Sequence, residues 1–142
     1  MSADAPSGDG LHEEEAWDAV RIEEADRLLT AQGIVKLVAV AQDAASGRLV
    51  AFSELGLPAD HPTEAWQFAT LVLREHRGHR LGLALKLANL ECVGASFPDV
   101  TLVVTNNAAD NAPMIAVNTS LGFEVAAAGT FWRKEIAAGP TP

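Results

Sequence analysis

The chain has 142 residues, 49% of them hydrophobic and 20% charged, with a formal net charge of −9. These values describe one globular domain with one core, and the acidity excludes the basic footprint of a nucleic-acid binder. A single cysteine, Cys92, excludes an internal disulfide and fits a reducing, cytoplasmic compartment. No apolar run is long enough to span a membrane, and the acidic opening MSADAPSGDG is not a signal peptide.

Residues 1–10 read as a disordered lead, 11–136 as the folded domain and 137–142 as a flexible tail. In residues 13–33, Trp17, Val20, Ile22, Ala25, Leu28 and Leu29 fall close to a helical stripe. Acids in the first turns suit the helix dipole, and Gly33 ends the helix. Residues 34–42 are a strand rich in β-branched residues, DAASG is a turn, and 48–55 is the hairpin partner. After a loop, residues 65–73 form a third strand. A helix follows from Leu81 to Val93. Its polar positions, Lys86, Asn89 and Glu91, form a narrow edge, so the rest of its surface, Cys92 included, is expected to be buried. SFPD is a turn, and 100–105 is a nearly continuous apolar strand, the mark of a strand covered on both faces. A further helix runs from Asn111 to about Leu121, ended by Gly122. Residues 123–136 read as two closing strands around Gly129. The order α-β-β-β-α-β-α-β-β predicts an α/β fold, a mixed sheet with helices on its faces.

The charge is unevenly placed. Residues 1–30 hold nine acids and two bases, whereas Arg74, Arg77, Arg80 and Lys86 are four of the chain's ten bases within thirteen residues. They lie where a strand passes through a short glycine-containing loop into a helix. Backbone N–H groups at a helix start have no partner inside the helix, and the dipole adds positive potential there. Glycine lets the backbone approach a phosphate, and arginines add charge-assisted hydrogen bonds. The loop matches neither GxxxxGK[ST] nor GxGxxG. A solvated helix end carries the same charges, so composition leaves both readings open.

The segment LVLREHRGHRLG resembles the pyrophosphate-binding segment of the GNAT acyltransferases, Arg/Gln-x-x-Gly-x-Gly/Ala. Arg77 fills the first place and Gly82 the last, while Arg80 stands where the family usually has glycine. NAPMIAVNTSLGF resembles the second family signature: Asn111 matches its asparagine, Gly122-Phe123 its ending, and Asn118 takes the place usually held by tyrosine. Over residues 11–136 the chain is similar to actinobacterial-type GNAT domains, without their first strand and first helix.

That resemblance implies an N-acetyltransferase with acetyl-CoA as cosubstrate, lying in a splay between strands 65–73 and 100–105. Main-chain groups of Leu71, Val72 and Leu73 would line the pantetheine arm and offer an oxyanion donor. Backbone groups of Arg77, Gly78, His79, Arg80, Leu81 and Gly82 would hold the pyrophosphate, and Asn111 would touch the pantetheine. A primary amine, on a small molecule or a protein, would attack directly in a ternary complex. The alternative is a non-catalytic GNAT-like module that binds acyl-CoA or a protein partner. The missing front elements leave a sheet edge through which a homodimer could form. Neither nucleic acid nor membrane is expected as partner.

Glu54, near the end of the second strand, is the first candidate for the general base; as a solvent-facing strand residue it would have no such role. His61 has a suitable unperturbed pKa, and Thr70, Asn106 and Asn107 could orient an acceptor or a water. The chain has no tyrosine, so water or another side chain would protonate the departing thiolate, with Asn118 in the tyrosine's place. His76 and His79 read as loop groups beside phosphate; no third ligand accompanies them, so no metal is expected. Trp17, Trp66 and Trp132 read as packing residues. Arg80 is expected to have ordinary helix-entry backbone, because a left-handed non-glycine residue costs on the order of 1 kcal/mol.

Overall fold

The structure is a computed structural model describing residues 18–130, 132 and 134. The expected lead and tail, Trp17 and the first turn of the acidic segment lie outside these residues.

Helix α1 spans Ala19–Ala31, and the Asp18 carboxylate caps it by accepting from the Arg21 N–H at 2.9 Å. Gly33, at φ 74°, turns the chain into β1, Ile34–Gln42. Strand β2, Leu49–Pro58, pairs antiparallel with β1, and β3, Glu64–Val72, pairs antiparallel with β2. A 3-10 turn at Arg74–His76 leads to α2, Leu81–Ser96. Then come β4, Leu102–Val104, and α3, Ala112–Ser120. The sheet order is β1-β2-β3-β4, with β3 and β4 parallel. The mixed sheet and the element order through α3 follow the sequence reading.

Strand alternation divides the helices between the two faces. Successive side chains point to opposite sides, and Lys36 reaches Asp26 of α1 while Leu37 packs on the core that holds Val93 of α2. On the α2 face the core is Leu55, Leu57, Ala65 and Val93, with Leu37, Phe97, Val100 and Val103 packed against it.

Five expectations are corrected. The Leu81 helix turns two of its three polar edge residues inward: Lys86 and Asn89 are 2% and 3% exposed, while Glu91 is exposed and Leu87 is 43% exposed. Each of the two buried residues finds a partner inside, Asn89 Nδ2 donating to the Ser53 carbonyl at 2.9 Å, and that satisfaction is what makes burial tolerable. Cys92, one turn on, is exposed rather than a core thiol. Strand β4 is three residues long and covered on one face only; Val103 turns to the core while Leu102 and Val104, of opposite parity, are exposed. Residues 123–130 form no strand. Ala126, Ala127, Ala128 and Gly129 have little side chain to bury, and Val125 is 89% exposed. Trp132, expected to pack, is exposed as well.

Candidate functional site: a strand splay and a left-handed loop

The pairing of β3 with β4 ends where β4 ends, which leaves an open side, the splay, along the rest of β3. Their ladder holds only Glu64–Trp66 against Leu102–Val104, and β3 continues six residues further without β4. Opposite, a bulge marks the same region. Ser53 pairs with Thr70 and Leu55 with Gln67, so Phe68 and Ala69 together oppose Glu54. The buried Gln67 amide fills the bulge, donating to the Glu54 carbonyl at 2.7 Å and the Ser53 hydroxyl at 3.2 Å. The Thr70 hydroxyl lies 2.9 Å from Ser53 Oγ, so it is committed inside the protein.

The end of β3 presents its backbone alternately to its two sides. The Leu73 N–H donates to Val50 O at 2.9 Å, on the β2 side. Leu71 shares that parity; Val72 and Thr70 turn their backbone groups to the splay. Of the three expected lining residues, Val72 therefore offers main-chain groups to the splay, and Leu73 does not. The Val72 carbonyl accepts from Arg77 Nε at 3.0 Å. That bond pins the loop to the strand.

Arg80 overturns the expectation of ordinary helix-entry backbone. It lies at φ 57°, ψ 20°, the left-handed region, and is the only non-glycine residue at positive φ among the described residues. Gly78 is at φ 82°. The chain must reverse from β3 into α2 within a few residues, and these two positions make the reversal. Arg80 is also the N-cap: its carbonyl accepts from Ala84 N at 3.0 Å, while its side chain makes no cap bond. A left-handed residue followed by right-handed helix is the pattern in which successive N–H groups converge on an anion. The strain sits at the entry to α2. Arg80→Gly should be more stable than Arg80→Ala by about 1 kcal/mol, because only alanine retains the left-handed penalty; urea unfolding of the two variants checks this, and the reverse order would refute it.

His79 and Arg80 are exposed and Leu81 is half-buried. A Cβ at Gly82 would stand 3.7 Å from Thr70 Cγ2 and 3.9 Å from Val72 Cγ2, ordinary contact distances. Asn111 is the N-cap of α3, its Oδ1 accepting from Met114 N at 3.3 Å. Asn106 and Asn107 are exposed beyond β4.

The candidate bases differ in setting. Glu54 lies on the α1 face, half-buried, with Oε1 3.3 Å from Lys36 Nζ. The same ammonium bonds the Asp26 carboxylate. Burial alone would lower the Lys36 pKa, but Asp26 and Glu54 together raise it above its usual value. Glu54 is thus neither a free solvent-facing carboxylate nor an isolated base. His61 lies at the other end of β3 from the loop, beside Asp60 at 4.0 Å and tilted against Trp66 with ring centroids 6.1 Å apart. A hollow at that far end, lined by Leu57, Pro62, Glu64, Phe97 and Asp99 among others, is remote from the loop.

Lys86, counted among the bases near the loop, is buried rather than presented to solvent. Its Nζ donates to Asn118 Oδ1 at 2.7 Å and lies 5.6 Å from the Phe123 ring centroid. Asn118 is 5% exposed. Burial pushes the Lys86 ammonium down to about 8. The signal was present in the sequence, since Lys86 and Asn89 stand three apart in an apolar helix and so share one face. Among the described residues no group of histidines, cysteines and carboxylates could hold a metal, and no helix is long and apolar enough to cross a membrane.

Neither a family model nor a curated protein matches the chain. Solved structures do. A tandem GNAT protein from the clavulanic acid biosynthesis pathway, solved without acetyl-CoA, is 43% identical at a TM-score of 0.71, covering 74% of this chain. The chain spans 32% of that protein's length. Glucosamine-6-phosphate N-acetyltransferase from Arabidopsis thaliana shares the fold at a TM-score of 0.63 and 10% identity, covering 84% of this chain and 81% of its own. An aminoglycoside N-acetyltransferase in complex with CoA does so at 0.56 and 17%, covering 82% and 87%. With a short parallel β3–β4 ladder beside a helix-entry loop and these matches, the described residues have the fold of the GNAT acyltransferases.

Proposed function

We propose that this domain binds acetyl-CoA and transfers its acetyl group to a primary amine by direct attack in a ternary complex. The observation that carries the reading is the open side of β3 beyond β4, leading into a loop whose backbone turns left-handed at Arg80, a geometry that suits an anion. Backbone N–H groups between Arg77 and Gly82 suit a pyrophosphate, and Arg80 adds an exposed cation. The Val72 main chain faces the splay, where a thioester carbonyl would seek a donor. Asn111, at the start of α3, would meet the pantetheine arm in this reading.

Glu54 is the general base in this reading, held in position by Lys36 and acting on the ammonium directly or through a water. The ion pair is also the observation that favours the second reading, a non-catalytic acyl-CoA-binding module, because it engages the carboxylate in structure. Acetyl-CoA consumption measured over a panel of primary amines separates the two. We expect transfer to at least one amine, and a roughly 100-fold fall in kcat for Glu54→Gln with acetyl-CoA binding retained. Binding without transfer to any amine supports the module instead. An unchanged kcat in Glu54→Gln removes Glu54 as base.

A further inference from the structure

Helix α2 follows β3 and helix α3 follows β4, so the hydrogen bond from Lys86 to Asn118 joins the helices belonging to the two arms of the splay. An ammonium has three donors. At Lys86 the described protein engages one, at Asn118, and sets an aromatic face near the charge. No carboxylate of the described residues forms an ion pair with it. A cation 2% exposed, with donors left over and no counter-ion among the described residues, is costly to keep. Its cost is understandable where an anion forms during the reaction. The acetyl transfer proposed above forms one, the thiolate released when the C–S bond breaks, and the chain has no tyrosine to meet it.

We propose that Lys86 donates its Nζ proton to the departing coenzyme A sulfur, and that Asn118 is the positioning residue that holds the ammonium for it. The acceptor nitrogen bonds the carbonyl carbon, and the C–S bond breaks with its electron pair going to sulfur. The Nζ proton then passes to that sulfur, leaving coenzyme A as the thiol and Lys86 as a neutral amine. The acceptor's surplus proton leaves through Glu54 or water, and solvent reprotonates Lys86. The ammonium, at about 8, is a matched acid for a thiol near 8.5.

The proposal rests on the acetyltransferase reading, so the test begins with coenzyme A alone. Its thiol is titrated on the protein by thiolate absorbance, in the wild type, Lys86→Met and Lys86→Arg. The bound thiol should ionise about tenfold more readily than free coenzyme A in the wild type and in Lys86→Arg, and no more readily than free in Lys86→Met. Acetyl-CoA consumption then isolates the proton. Lys86→Arg keeps a cation and a donor for Asn118 but holds its proton at all working pH. It should be slowed about 100-fold, like Lys86→Met, and lack the fall in rate above pH 8 expected of the wild type. A structural tie between the helices would instead be rescued by arginine. Coenzyme A bound with an unshifted thiol, or a wild-type rate in Lys86→Arg, overturns the proposal and leaves the acetyltransferase reading standing. No binding, or no consumption by the wild type, overturns both.

Discussion

Between pH 8 and pH 10.5 the wild-type protein should gain roughly 3 kcal/mol of stability relative to Lys86→Met. The unfolded chain holds the Lys86 proton up to 10.5, whereas burial makes the folded chain release it at about 8. Across that window the unfolded state binds more protons, so raising the pH favours the folded state. Below pH 8 both states are protonated, and the burial penalty is carried in full. The groups around Lys86 are an amide and a ring, Asn118 and Phe123, which do not titrate in the window. Lys36 acts in the opposite sense and elsewhere. Its folded pKa is raised above 10.5, so its contribution is complete below 10.5 and disappears as the pH climbs through the folded value. Urea unfolding of both proteins at pH 7 and pH 10.5 measures the change in their difference. A difference that does not move with pH would mean that Lys86 is not buried as a cation.

The parts legible in the sequence are those set by local pattern. Period-2 and period-3.6 hydrophobicity placed α1 through α3, and Gly33, Gly78 and Gly122 marked turns that prove to need positive φ. The loop was legible as a strand-to-helix connection, while its charges by themselves suit a solvated helix end equally well. What escaped depends on partners distant in sequence. Glu54 looks like a strand carboxylate until Lys36 and Asp26, on β1 and α1, are brought to it. Lys86 and Asn89 look like a solvent edge until α2 is laid on the sheet with that edge inward, where Asn118 and the Ser53 carbonyl receive them. Arg80 was misread for a different reason. Local preference argues against a left-handed arginine by about 1 kcal/mol, and a reversal shared by the whole β3-to-α2 connection outweighs a penalty of that size. Of the two strands expected over 123–136, the first is absent because an apolar start, Phe123 and Val125, gives way to alanines that have little to bury, and most of the second lies outside the described residues.

The binding of acetyl-CoA is the claim on which the site, the reaction and the role of Lys86 all rest. Acetyl-CoA should bind one molecule per chain and, at about 100 times its Kd, should raise the unfolding free energy by about 2.7 kcal/mol. Added salt should weaken the binding, since the anion is held by exposed loop charge. Arg80→Ala should reduce the affinity if its guanidinium reaches a phosphate, and should leave it intact if the backbone cradle acts alone. Calorimetric titration of the full chain with acetyl-CoA is the most direct measurement: saturable heat at a one-to-one ratio is the predicted result, and the absence of binding would contradict the account at its base.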